Sequence, residues 1–171
     1  MVAVKPPYTE KLLIGFKEIQ KIDITRGKDT EELALIKDEV LQKACAEKIN
    51  EADYPNAGHV TLYKEENYVY NEDHTVTNES RSIIKVHKER SLDAANYVRS
   101  FKKEEESIEI VHARSVSADG IVSNLRNDAV KYTDKYLAYP MYDKVKILQF
   151  SVPEVKIGSI IAVKIITKSY K

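Results

Sequence analysis

Apolar residues follow two rhythms along this chain. Up to about residue 50 they recur at three- and four-residue intervals. From Gly58 onward they alternate with polar residues and are often β-branched. The first rhythm belongs to helices and the second to strands, because side chains on one face repeat every 3.6 residues in a helix and every two in a strand. Leu33, Ile36, Val40 and Ala44, flanked by Leu41, Cys45 and Ile49, form one helical face. Asp29 with Glu32 offers an Asp version of a capping box at its start. Tyr54-Pro55 predicts its end near Asn50. Leu12, Leu13, Phe16 and Ile19 predict a second helix over 9–20, joined through the turn Arg26-Gly27-Lys28.

Beyond Gly58 the alternation predicts strands near 59–71, 75–88, 96–101, 107–117, 120–125, 144–151 and 159–168. Turn residues separate them: Asn71 to His74, Ala118-Asp119-Gly120, Pro153 and Gly158. In "HARSVSADGIV", residues 112–122, Asp119-Gly120 sits where a tight hairpin needs positive φ, which glycine adopts without a Cβ clash. Strict alternation would place Ile108, Ile110, His112, Arg114 and Val116 on one face of the incoming strand. The run 159–166 is apolar on both faces and reads as a central, buried strand. The expected fold class is mainly β: an antiparallel β-sandwich over 54–171 with an N-terminal helical segment over 1–53.

Composition narrows the partners. The 171 residues carry 27 Lys and Arg against 27 Asp and Glu, for a formal net charge of zero. A nucleic-acid binder needs a basic footprint, and no run of lysines supplies one. No stretch approaches the ~20 apolar residues of a membrane span. The N-terminus does not read as a signal peptide. The single cysteine, Cys45, excludes an intrachain disulfide and a CxxC metal pair.

Candidate chemistry is sparse. Cys45 is the only possible thiol nucleophile, but it lies on an apolar helix face and reads as a small core residue. His59, His74, His87 and His112 show no metal-ligand spacing, although His87 and His112 would meet if their strands paired. No G-x-S-x-G, Walker or G-x-G-x-x-G motif is present. No catalytic residue, metal ligand or cofactor site is therefore expected. The unusual local feature is tyrosine: Tyr132, Tyr136, Tyr139 and Tyr142 lie within eleven residues, around Pro140, in a segment without strand alternation. Tyrosine joins flat apolar area to a hydroxyl at low entropic cost, which suits a partner surface. These four are the candidate partner-binding residues.

Three stretches then support a family resemblance. "YPNAGHVTLYKEENYVYNEDHTVTNESRSIIKVH" has a lead-in, a strand, an acidic turn and a long strand. "SIEIVHARSVSADGIVSNL" carries a hairpin built on an A-R…D-G pattern, and "YPMYDKVKILQFSVPEVKIGSIIAVKI" ends in an F-x-x-P step and a G-S-x-I strand. Their order over 54–167 resembles an uncharacterised bacterial domain that usually lies just before a transglutaminase-like, papain-fold domain. The resemblance implies a β-sandwich without catalytic residues of its own, serving a transglutaminase-like partner domain in the same chain or complex. It also implies an extracytoplasmic setting and a fold that continues past residue 171. The expected function is a non-catalytic accessory module; the rival is a stand-alone carbohydrate- or peptide-binding module.

Overall fold

The computed structural model describes residues 2–4, 12–14, 30–136 and 144–170. Among the described residues the strands are, in chain order, β1 (Val2–Val4), β2 (Leu12–Ile14), β3 (Thr30–Glu32), β4 (His59–Tyr70), β5 (Val76–Val86), β6 (Asn96–Lys102), β7 (Glu106–Val116), β8 (Ile121–Asn124), β9 (Lys131–Asp134), β10 (Val145–Ser151) and β11 (Ile160–Ser169), with one α-helix, α1 (Glu39–Ala46). The fold is mainly β and antiparallel, a sandwich-like arrangement with a small helical segment. A six-stranded sheet runs β3-β8-β7-β11-β5-β4, and a three-stranded sheet runs β6-β10-β9. β1 and β2 pair with each other.

The alternating stretches became strands within one or two residues of the expected limits. β11 is central, between β5 and β7. The hairpin between β7 and β8 turns at Gly120, whose φ is 77°. There Gly120 donates its amide to the Ser117 carbonyl at 3.0 Å, and Ile121 donates its amide to Ser117 Oγ at 3.1 Å. β4 starts beside a close approach. A Cβ on Gly58 would lie 2.1 Å from Ser91 Oγ, while the Gly58 carbonyl accepts from the amides of His87 and Lys88.

Two apolar layers hold the fold together. Between the sheets, Leu148, Phe150 and Val152 meet Val86, Ala113, Ile161 and Ile165. On the opposite face of the large sheet, Ile36, Leu41 and Ala44 cover Ile83, Val116, Val122, Ile160 and Ala162. Hydrophobic burial drives both contacts.

Three expectations need correction. The helix is shorter than its apolar period: it begins at Glu39, with Asp38 as the cap accepting from the Leu41 amide at 3.0 Å. Residues 30–32 instead pair with β8, and Leu33 donates to the Gly120 carbonyl at 2.9 Å, so sheet hydrogen bonds claim the first turn that the period assigned to the helix. Leu12–Ile14, placed in a second helix by the same reasoning, is strand. Finally, β7 does not keep one face throughout. Its register against β11 skips Val111, with Lys164 opposite His112 and Ile165 opposite Ile110. This β-bulge inverts the alternation. Ile108 and Ile110 therefore join Ala113 between the sheets, whereas His112 and Arg114 go to the face that α1 covers.

Candidate functional site

The register of the large sheet builds its most distinctive surface. Cross-strand partners align Tyr68, Asn78, Thr167 and Ile108 in one row, and Glu66, Ser80, Ile165 and Ile110 in the next. Lys64, Ser82, Val163 and Ala113 make a third row. Each row faces the small sheet, and each changes from polar on β4 and β5 to mostly apolar on β11 and β7. The small sheet has three strands against six, so it does not cover this polar margin. The result is a cleft of about 370 Å³ between β4, β5 and β6, floored by Asn78, Ser80 and Ser82 and walled by Tyr97 and Phe150. Tyr97 and Phe150 stack with ring centroids 4.8 Å apart at 13°.

The charges around the cleft are satisfied internally. Arg99 donates to Thr167 Oγ1 at 3.0 Å and to Glu106 at 3.4 Å. Glu66 lies 3.2 Å from Lys64 and accepts from the Tyr68 hydroxyl at 3.2 Å. These contacts, the lysine's foremost, hold the exposed Glu66 carboxyl below its ordinary range. By contrast, Asn78 Oδ1 is buried without a hydrogen-bond partner.

The tyrosines expected to bind a partner are placed in part. Tyr132 belongs to β9, because Lys131–Asp134 pairs with β10 in a segment whose sequence shows no alternation. It is 56% exposed and meets Phe101 edge-on at 6.3 Å. It also borders a second cleft, on the β7–β9 side, with Ile108, Ile110, Leu125 and Val130. Tyr136 is exposed, with the Lys135 ammonium 5.5 Å from its ring centre. Tyr139 and Tyr142 lie outside the described residues.

A third assembly sits where α1 meets the large sheet. Arg81, Lys164 and His112 occupy one cross-strand row, and Asp38 reaches down from the helix start. Asp38 pairs with Arg81 and lies 4.0 Å from Arg114, all three side chains being nearly buried. Burial works against the Asp38 charge, but the Leu41 amide and the arginines outweigh it and hold the carboxyl below its usual range. His112 is pushed down to about 4, mainly by burial and then by Arg114, so it is neutral at pH 7. Lys164 also pairs with Glu79 at 2.8 Å. The assembly anchors the helix. His87 does not meet His112, because β11 intervenes between their strands. Cys45 is half-buried, and burial, helped by Asp38, pushes its thiol up to about 11. It is therefore not a thiolate at neutral pH. Among the described residues no three His, Cys, Asp or Glu side chains are grouped to hold a metal, and no helix is long and apolar enough to cross a membrane.

The polar floor left a trace in the sequence. In "TNESRSIIKV" the alternate positions 78, 80 and 82 are Asn, Ser and Ser, followed on the same face by Ile84 and Val86. A strand facing a closed core would have stayed apolar.

Comparison with known proteins gives the following. Over residues 72–170 the chain matches the family described as "Domain of Unknown Function with solved-structure structure (DUF3857)". None of the curated proteins compared with the chain matches it. Among solved structures, a protein from Parabacteroides distasonis described as a "putative protease" is similar, with a TM-score of 0.61 at 9% identity. That likeness is one of fold; it covers 66% of this chain and 23% of the other. The CBM3a-L domain of scaffoldin cipA from Clostridium thermocellum gives a TM-score of 0.38 at 12% identity, covering 66% of this chain and 68% of that one.

Proposed function

The chain belongs to the DUF3857 family, and on that premise we propose that it is a non-catalytic accessory module that packs against and positions a partner, such as a transglutaminase-like domain of the same polypeptide or complex. The observation that carries this reading is β4. It is a twelve-residue strand at the end of the large sheet, and among the described residues nothing pairs with its outer edge. Natural proteins usually shorten, cover or charge such an edge unless something is to pair with it. Lys64, Glu65 and Glu66 guard its middle. Its last turn toward β5 is unguarded: Tyr68 and Val69 are each 55% exposed and Tyr70 81%. Tyr132 and Tyr136 provide a second surface of the same chemistry. The protonated Cys45 thiol supports a role without nucleophilic catalysis. That a similar fold makes up 23% of a longer protein also suits a module.

The reading is tested by titrating the purified transglutaminase-like domain into this chain and into a Val69→Lys, Tyr70→Glu variant. Affinity should fall at least about tenfold in the variant while the melting temperature stays the same. Equal affinity in both, or substrate turnover by this chain alone, would refute it. A stand-alone carbohydrate- or peptide-binding module is the second reading, favoured by the polar cleft between β4, β5 and β6.

A further inference from the structure

We propose that the cleft over Asn78, Ser80 and Ser82 is a binding site for a short neutral oligosaccharide. This inference rests on the second reading above and shares Glu66 and Tyr68 of β4 with the edge proposed for partner docking.

Three observations bear on the ligand. The first is the floor. Three successive positions of β5 on the face toward the small sheet carry an amide and two hydroxyls, where that sheet leaves them partly exposed to the cleft. A ligand's hydroxyls can therefore exchange hydrogen bonds with them in place of water. Serine hydroxyls both donate and accept, which matches a ligand whose own groups do the same.

The second observation is charge. Lys64 offsets Glu66, and Glu106 offsets Arg99. Among the described residues that line the cleft no unpaired charge is left to select an anion or a cation, so the ligand is neutral. The third is the wall. Tyr97, backed by its stack on Phe150, presents a fixed aromatic ring, and Tyr68 stands 55% exposed at the opposite lip. Flat rings of this kind accept the C–H face of a pyranose. The volume, about 370 Å³, is at the lower end of small-ligand sites, which run from ~300 to ~1,000 Å³.

The test is a heteronuclear NMR titration of the whole chain with a panel of neutral gluco-, manno- and galacto-oligosaccharides. Acidic oligosaccharides and extended peptides serve as the other arms. At least one neutral sugar should bind, with shifts centred on the amides of Asn78, Ser80, Ser82 and Tyr97. A Ser80→Val, Ser82→Val variant keeps strand-forming residues but removes both hydroxyls. Its affinity should fall about tenfold or more. If that variant does not fold, the shift map on the unmodified chain decides. Absence of binding by every neutral sugar at 10 mM, shifts located elsewhere, or equal affinity in the valine variant would overturn the proposal. So would stronger binding of the acidic sugars. Peptide binding in the cleft without sugar binding would overturn it while leaving the binding-module reading standing.

Discussion

The two faces of the six-stranded sheet are built on opposite principles. Toward the small sheet, the central strands present Ile161, Val163 and Ile165 to Leu148 and Phe150, and the contact is hydrocarbon on hydrocarbon. Toward α1, the same strands present Arg81, Lys164 and His112 in one row, next to Arg114, with Asp38 above them. An apolar layer continues beside that row, around Leu41 and Ile83. The first face is fixed by shape and volume. The second is fixed partly by charge, and charges confer sensitivity to pH and to the loss of a single partner. The difference shows why the helix can be only eight residues long. Asp38 simultaneously caps it and ties it to two strands, so its attachment does not depend on buried area alone.

The largest expected effect lies on the apolar face. Leu148 is fully buried in β10, between Arg99 and Tyr132 in the register. Leu148→Ala removes its packing and leaves a cavity, costing about 3 kcal/mol. Chemical denaturation should show a lower midpoint with little change in slope. A loss under about 1 kcal/mol would mean that the small sheet does not close on the large one as described.

On the charged face, Asp38→Ala removes a helix cap and leaves Arg81 and Arg114 nearly buried without their shared carboxylate. Breaking a buried pair can cost 3–5 kcal/mol, but residual exposure lets water screen these groups, and about 2 kcal/mol is expected. The helical signal in far-UV circular dichroism should weaken in the same variant. If stability is unchanged, the helix is held by Leu41 and Ala44 alone.

The unequal faces also explain what could be read from residues and what could not. Alternation located β4 to β8 and β10 because half-buried strands must alternate, and β11 stood out as a β-branched run apolar on both faces. Alternation failed at Val111, where the apolar phase slips from Ile108 and Ile110 to Val111 and Ala113, a slip that strict alternation read as one mixed face although pairing with β11 makes it a bulge. The same failure hid the charged row, since His112 and Arg114 were assigned to the face of Ile108 and Ile110. Helical periodicity overran at 30–32, where the Gly120 hairpin offered a strand partner that local propensity cannot foresee. β9 was missed because four residues with little burial show no period. The polar floor was legible in principle, as Asn78, Ser80 and Ser82 at alternate positions. Recognising it required knowing that the small sheet stops short of β5's outer margin.

The smallest effect, and the one most specific to the charged face, is its response to pH. His112 faces Arg114 on its own strand, Lys164 opposite it on β11, Arg81 on β5 and Asp38 at the start of α1. Burial and these cations lower its folded pKa from 6.5 to about 4. Between those values the unfolded chain binds more protons than the folded one, so stability rises with pH across that window and is lost on acidification. The lowered Asp38 carboxyl acts in the same direction at lower pH: its stabilisation is present above its unfolded pKa and fades as pH falls through the folded one. His112 is partly solvated, so its share, discounted for screening, is about 1–2 kcal/mol. At this chain length each kcal/mol corresponds to roughly 2–4 °C. Thermal melts at pH 7.5 and pH 4.5 should therefore differ by several degrees less in a His112→Gln variant than in the unmodified chain. An equal or larger drop in the variant would place the acid sensitivity elsewhere and reduce the contrast between the two faces to packing alone.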